Sequence, residues 1–470
     1  MKVLLINPPF SSYAGVEGHG GSAAPLNLAY IAAYLRQKRK DNIKILDCEA
    51  FKLLYEDIEK RLRKLNPDIV GITAPTPAFQ QVLDVAKVVK KVNKDTKVII
   101  GGPHPSAFPE ESVNFDQIDI SAYGEGEITF YEIVKAIDEK TDLSQVKGIV
   151  FKEGKNIIKT PPREYIMNLD ELPFPARDLL PLKLYHPPPT KRVSGQRNNA
   201  SIIGSRGCPF SCTYCIANLM WGRIYRPRSP KNVVDEMEEC VKKYGLTEFN
   251  FHDELFTTKK DRTIEICKEI LKRKLNVSWI CMARVDFIDE EMLKWMKKAG
   301  CRKIMFGFES GSEKVLKAMR KNANLDQARK AVKLVKNVGI KIGANFMFGH
   351  IGETKKTIRE TINFAKEINA DTVAFLVACP YPGTDFFHMA KEKGYLRKDF
   401  HWKDFVIVTE DTPVVNLPGL AADDILKAVK SAYREYYFRP AYIWLKLRGI
   451  RSMGDIKTLI DGVKLLFKVS

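Results

Sequence analysis

The chain has 470 residues, 45% of them hydrophobic and 28% charged, with nine cysteines and a formal net charge of +19 at pH 7. This is an ordinary globular composition, long enough for more than one core and roughly three domains. MKVLLINPPF is not a signal peptide, because its apolar run stops at Asn7-Pro8-Pro9, and no run of about 18 apolar residues predicts a transmembrane helix. An odd cysteine count without an export signal fits a reducing cytoplasm. The positive excess favours anionic partners (nucleic acid, phosphate-bearing cofactors or a lipid surface) or reflects a Lys-rich composition. No RNA-binding motif accompanies it, so sequence-specific nucleic-acid recognition is not expected.

Residues 1–140 alternate short apolar strands with amphipathic helices. Strands are predicted at 2–7, 43–47, 69–73, 97–101 and 118–123, and helices at 26–38, 51–64, 80–92 and 128–137. This alternation predicts an α/β domain with a doubly wound, Rossmann-like parallel sheet, whose ligand sits beyond the carboxyl ends of the strands. Those ends carry Asn7-Pro8-Pro9, Thr73-Ala74-Pro75-Thr76, Gly101-Gly102-Pro103-His104 and Gly124-Glu125-Gly126-Glu127. Small residues and prolines there let a large flat ligand approach the backbone; the same residues also make ordinary strand-to-helix turns.

Residues 141–199 are proline-rich and read as a linker with a small hairpin at 148–159, turning at Glu153-Gly154. Alternation resumes with strands at 200–205, 248–252, 277–282, 303–308, 341–348 and 372–378, separated by helices at 231–244, 260–273, 290–299, 312–319 with 325–338, and 355–368. Six β/α units are too few for an eight-unit barrel, so residues 200–400 predict a partial TIM-type barrel with its chemistry at the carboxyl ends of the strands. Residues 401–470 form a smaller, basic region with a helix at 423–438. From Lys427 onward ten Lys/Arg face three Asp/Glu, interleaved with Tyr442, Ile443, Trp444, Leu445 and Leu447. That stretch reads as a basic helical cap on the barrel or as a segment lying on a membrane surface.

The first barrel strand runs directly into Gly207–Cys215, GCPFSCTYC, where Cys208, Cys212 and Cys215 are spaced CxxxCxxC. Thiolates are soft ligands for iron–sulfur clusters and zinc. A structural zinc site needs a fourth ligand, and the nearest histidines, His186 and His252, are distant in sequence. Three thiolates suit three irons of a cubane, with the fourth iron open.

SRGCPFSCTYC resembles the signature loop of radical S-adenosylmethionine enzymes. RPRSPKNVVDEM, FNFHDELFT, WICMARVD, MKKAGCRKIMFGFESGSEKVLKAM, FMFGHIGETKKTIRETINFA and PYPGTDFF are similar, in the same order, to blocks of the cobalamin-binding subgroup of that family. LINPP, GGPHPSAFPEE and YGEGE resemble its cobalamin-binding domain, so the likeness covers about residues 1–390. The resemblance implies a [4Fe-4S] cluster on Cys208, Cys212 and Cys215, whose open iron chelates S-adenosylmethionine and, on reduction, yields a 5′-deoxyadenosyl radical. It further implies bound cobalamin, an external electron donor of flavodoxin or ferredoxin type, and a small-molecule or lipid-like substrate. The expected reaction is C-methylation. An oxidative cyclisation, as in the similar anaerobic magnesium-protoporphyrin cyclase, or another radical rearrangement is the alternative, and a non-catalytic cobalamin or iron–sulfur sensor is a reading of another class.

Within that resemblance, residues ending barrel strands are the candidate S-adenosylmethionine contacts. Asp253 and Glu254 are placed to meet the ammonium, Arg284 the carboxylate, Glu309 and Ser310 the ribose, and the backbone at Gly349 the adenine. Pro8, Thr73, Gly102, His104, Gly124 and Glu125 are the candidate cobalamin contacts. Glu17-Gly18-His19-Gly20-Gly21-Ser22 departs from DxHxxG at its first and last positions, so no histidine of the chain is expected beneath cobalt. His252, His350 and His388 carry no motif.

Overall fold

The computed structural model describes residues 1–10, 22–188, 199–408, 411–448 and 460; His19 lies outside the described residues. Five parallel strands, β1 (Lys2–Asn7), β2 (Asn42–Asp47), β3 (Ile69–Thr73), β4 (Lys97–Gly101) and β5 (Ile120–Ala122), start the first sheet. Successive residues of β1 face opposite layers, as the two-residue period of a strand requires. Leu4 and Ile6 pack with helices Tyr55–Leu65 and Phe79–Val92, whereas Val3 and Leu5 pack with helices Leu26–Lys38 and Gly126–Glu139. The strand order β2-β1-β3-β4-β5 reverses between β1 and β3, the crevice where doubly wound sheets take their ligands.

The hairpin expected in a linker is instead the antiparallel continuation of this sheet. β6 (Ile149–Glu153) pairs with β5 and β7 (Asn156–Lys159) pairs with β6. The outer edge of β5 would otherwise present unpaired backbone groups, and this hairpin satisfies them. The proline-rich residues beyond it form a strap across both units. Ala176 N donates to Ala29 O, Tyr185 Oη to Asp47 at 2.8 Å, and Arg177 to Ser201 O at 2.7 Å. The helix expected at 51–64 starts at Tyr55, because Lys52 adopts a left-handed conformation that ends a short helix Cys48–Phe51.

The second sheet is wholly parallel. β8 (Asn199–Ile202), β11 (Glu248–Phe251), β12 (Ser278–Ala283), β13 (Cys301–Glu309), β14 (Lys341–Phe348) and β15 (Thr372–Val377) lie in the order β15-β14-β13-β12-β11-β8. β8 and β15 are the two edges, so the barrel is open. The strand expected at 200–205 divides: β9 (Ser205–Arg206) leaves the barrel and pairs antiparallel with β10 (Arg226–Pro227). Trp279, Phe249, Phe306, Phe346 and Phe375 fill the core between the strands and their outer helices.

Helix Ala422–Tyr437, followed by Pro440–Arg448, covers the exposed edge of β15. Tyr437 Oη accepts from Val373 N at 2.8 Å and donates to Val373 O at 2.6 Å, as a neighbouring strand would. Tyr433 Oη accepts from Phe375 N at 3.2 Å. The described part of the basic C-terminal region is therefore a cap on the barrel edge, with Phe438, Ile443 and Trp444 exposed.

Candidate active site at the barrel mouth

The thiol loop begins where β9 ends. Gly207 has φ +85°, and a Cβ there would lie 2.1 Å from Ile224 O, so only glycine lets the chain turn into Cys208. Thr213, between the second and third cysteines, pins the loop from three sides. Its N donates to Met319 O at 3.0 Å, its O accepts from Phe386 N at 2.8 Å, and its Oγ1 lies 2.8 Å from His350 Nε2. Cys208, Cys212 and Cys215 are free thiols. Burial raises the Cys208 pKa and pushes Cys215 up to about 12, and the charges of the neighbouring thiols add to both shifts. A cationic centre bound by the loop would offset that burial and mutual repulsion. Three free thiols on one pinned loop fit a cluster in which each sulfur takes a different iron.

Three strand-end residues surround these thiols. Glu254 is pushed up to about 7 by burial and by adjacent Asp253, and its charge is felt at Cys208 and Cys215. Arg284 is buried with its guanidinium 3.7 Å from the Phe210 ring centroid, and Asp286 takes its Nε and Nη2 at 3.0 Å each. Glu309 sits at a bulge of β13 with φ +66°, its carboxylate folded over Gly307, where a Cβ would lie 2.1 Å from Glu309 Oε1. Lys321 Nζ donates to Glu309 Oε1 at 3.0 Å and to Tyr214 Oη at 3.4 Å. The Tyr214 hydroxyl is held well above its usual range by burial, then by Glu309 and the thiols.

Other expected contacts are spent elsewhere. Asp253 is fully buried, with Oδ1 accepting from Gly204 N at 2.7 Å and Oδ2 from Ser205 Oγ at 2.6 Å, so its carboxylate anchors the turn that feeds the thiol loop. Ser310 Oγ lies 3.0 Å from Thr361 Oγ1 and accepts from Ser312 N at 3.1 Å. Gly349 N donates to Glu353 at 2.9 Å, and the space over its Cα is filled by Ile425 of the C-terminal cap.

In the first unit, Thr73 ends β3, and Pro8, Gly102 and Gly124 follow the carboxyl ends of β1, β4 and β5. Thr73 Oγ1 accepts from Asn27 at 2.8 Å. Gly102 (φ +118°) passes close to Ala74, and Gly124 (φ +80°) has no atom within 4 Å of where a Cβ would stand. That open, small-residue edge fits a flat macrocycle. His104 and Glu125 have internal surroundings in this structure. The His104 ring is fully buried, stacked on Phe79 at 3.8 Å and edged by Phe108 and Trp402, with both nitrogens unpartnered; burial drives its pKa down to about 3. Glu125 accepts from Ile166 N at 2.7 Å, Arg206 at 2.8 Å and Arg226 at 2.9 Å. Lys321, Thr213 and His350 carry no spacing signal in the sequence; Tyr214 stands out only as the residue before the third cysteine.

Two family models match the chain. The radical SAM superfamily model matches residues 202–365 and the B12 binding domain model residues 16–134. An uncharacterized methyltransferase of Pyrococcus horikoshii is 36% identical over 94% of this chain and 93% of its own length. The anaerobic magnesium-protoporphyrin IX monomethyl ester cyclase of Rubrivivax gelatinosus is 32% identical over 94% of this chain and 78% of its own length. Among solved structures, the radical S-adenosylmethionine methyltransferase TsrM of Kitasatospora setae, with cobalamin and a [4Fe-4S] cluster bound, superposes with TM-score 0.73 at 18% identity, covering 99% of this chain and 98% of that one. The chain belongs to the radical S-adenosylmethionine superfamily, in the branch whose members also carry a B12 binding domain.

Proposed function

We propose that this cobalamin-dependent radical S-adenosylmethionine enzyme is a C-methyltransferase. The observation that carries the reading is the direct ion pairing of the thiol loop, through Arg206, to the strand-end turn of the B12 domain at Glu125 and Glu127. Two cofactor edges held together in this way serve one substrate. The match to the Pyrococcus protein named an uncharacterized methyltransferase, 36% identical over 94% of this chain, supports methylation. When bound, the cluster with S-adenosylmethionine supplies radical initiation and cobalamin supplies a transferable methyl group.

The chain's own residues divide the work. Cys208, Cys212 and Cys215 hold the cluster. Arg284 and Lys321 set two buried cations beside it, suited to a ligand carboxylate. Glu254 and Glu309 offer carboxyl groups to an ammonium and to ribose hydroxyls. Pro8, Thr73, Gly102 and Gly124 leave the backbone open to the corrin. An external flavodoxin- or ferredoxin-type protein provides the electron, and the substrate is a small or lipid-like molecule. No described helix is long and apolar enough to cross a membrane; exposed Phe438, Ile443 and Trp444 beside the basic C-terminal sequence motivate peripheral membrane contact. Loss of sedimentation with anionic liposomes in a Phe438→Ser, Ile443→Ser, Trp444→Ser variant, which leaves Tyr433 and Tyr437 in place, is the expected result.

The test is anaerobic reconstitution with reductant and mass spectrometry of the nucleoside products. Methylation forms S-adenosylhomocysteine alongside 5′-deoxyadenosine; 5′-deoxyadenosine alone would favour the cyclase reading, which the Rubrivivax relative supports. Cys212→Ala is expected to abolish both cluster absorbance and cleavage. Absence of reductant-dependent cleavage by the wild type would favour a sensor.

A further inference from the structure

We propose that Arg206 is a positioning residue that sets the separation and orientation of the two cofactors. The inference rests on the functional reading above, and it concerns a residue outside both cofactor contact sets.

Arg206 lies two residues before Cys208 and is 3% exposed. Its Nη1 donates to Glu125 Oε1 at 2.8 Å and its Nη2 to Glu127 Oε1 at 2.5 Å. The β9–β10 ladder pairs Arg206 with Arg226, so the two guanidinium groups lie together, and Arg226 Nη1 completes the set on both Glu125 oxygens at 3.0 and 2.9 Å. Two cations and two carboxylates balance, which is what allows four charged side chains to be almost wholly buried. Aromatic rings fix the planes of the guanidiniums: Trp221 at 4.9 Å and Tyr30 at 5.5 Å from Arg206, and Tyr165 at 4.9 Å from Arg226.

The placement of this cluster gives it more than a docking role. On one side it is two residues from the first thiol. On the other, Glu125 directly follows Gly124, the open glycine of the cobalamin edge. Docking itself has other anchors: the strap ties Ala176 to Ala29 and Arg177 to Ser201, and Asp170 accepts from Ser229 N at 2.9 Å. What the Arg206 fork adds is direction. A planar guanidinium held by two carboxylates resists both sliding and rotation, which a single point charge does not. Chemistry shared between two centres is sensitive to displacements near 1 Å.

The test uses the full chain loaded with cluster and cob(II)alamin. Reduced cluster and cob(II)alamin are both paramagnetic, so electron paramagnetic resonance reads their mutual interaction without any substrate. The wild type is expected to show one defined interaction. Arg206→Lys keeps the charge but loses the fork, and Glu127→Gln keeps the shape but loses one charge. In both, iron and cobalamin content per chain is expected to hold while the interaction broadens into a distribution, more in Arg206→Lys, which loses the fork, than in Glu127→Gln, which keeps the guanidinium on Glu125. A wild-type interaction in both loaded variants would overturn the proposal. Absence of either signal from the wild type would overturn the functional reading, and this inference with it.

Discussion

Thr213 Oγ1 lies 2.8 Å from Nε2 of His350, linking the middle of the thiol loop to the residue just beyond β14. The other ring nitrogen, Nδ1, is 3.1 Å from Ile351 O and so carries the proton, which leaves Nε2 to accept from the Thr213 hydroxyl. Burial lowers the His350 pKa to about 4, so the ring is neutral and this polarity is fixed near pH 7. Thr213→Val keeps the side-chain shape and strands a buried acceptor. The expected loss is about 1–3 kcal/mol in denaturant unfolding, with iron released faster from the reconstituted protein than from wild type.

Asp253 separates anchoring from ligand contact. Asp253→Asn keeps an acceptor for Gly204 N only if its amide turns to donate to Ser205 Oγ, reversing that bond and removing the buried charge, at a cost of about 1–3 kcal/mol. Iron content after reconstitution should fall. In the fraction that does load, S-adenosylmethionine affinity measured by equilibrium binding should match wild type; a tenfold weaker affinity would return Asp253 to the ligand contacts.

His104 has a pH signature of definite sign. Its folded pKa of about 3 lies below the ordinary 6.5, so between those values the unfolded chain binds the extra proton and stability falls as pH falls. The slope from this group approaches about 1.4 kcal/mol per pH unit. His104→Leu removes no hydrogen bond, since both ring nitrogens are unpartnered. The expected outcome is a shallower acid-unfolding curve with cobalamin retention unchanged; loss of cobalamin from the variant would place the ring at the cofactor after all.

At the barrel edge, Tyr437→Phe deletes the hydroxyl that both donates to and accepts from Val373. A loss of about 1–2 kcal/mol is expected, together with faster hydrogen exchange at the Val373 amide. Unchanged exchange there would mean that apolar packing of the helix alone closes the edge.

Local pattern sufficed for the features that depend on neighbours in sequence. CxxxCxxC after a strand defines the thiol loop because three cysteines within eight residues need no distant partner to be brought together. Strand–helix alternation defines the two sheets because burial of one face imposes its own period. Gly102 and Gly124 stand out because a left-handed turn at a strand end selects glycine. The boundaries that depended on long-range pairing were not legible: β6 and β7 read as a hairpin within a linker until the open edge of β5 is known, and β9 reads as part of β8 until β10 is placed beside it.

An acidic residue at a strand end looks the same whether it meets a ligand or an anchor. Tertiary structure alone decided that Asp253 serves Gly204 and Ser205, that Glu125 serves Arg206 and Arg226, and that His104 belongs to an aromatic box. The physical reason is that a buried charge or ring takes its role from whichever complementary groups the fold brings within hydrogen-bond or stacking distance. For Glu125 and Arg206 those groups are 81 residues apart in sequence and 2.8 Å apart in space.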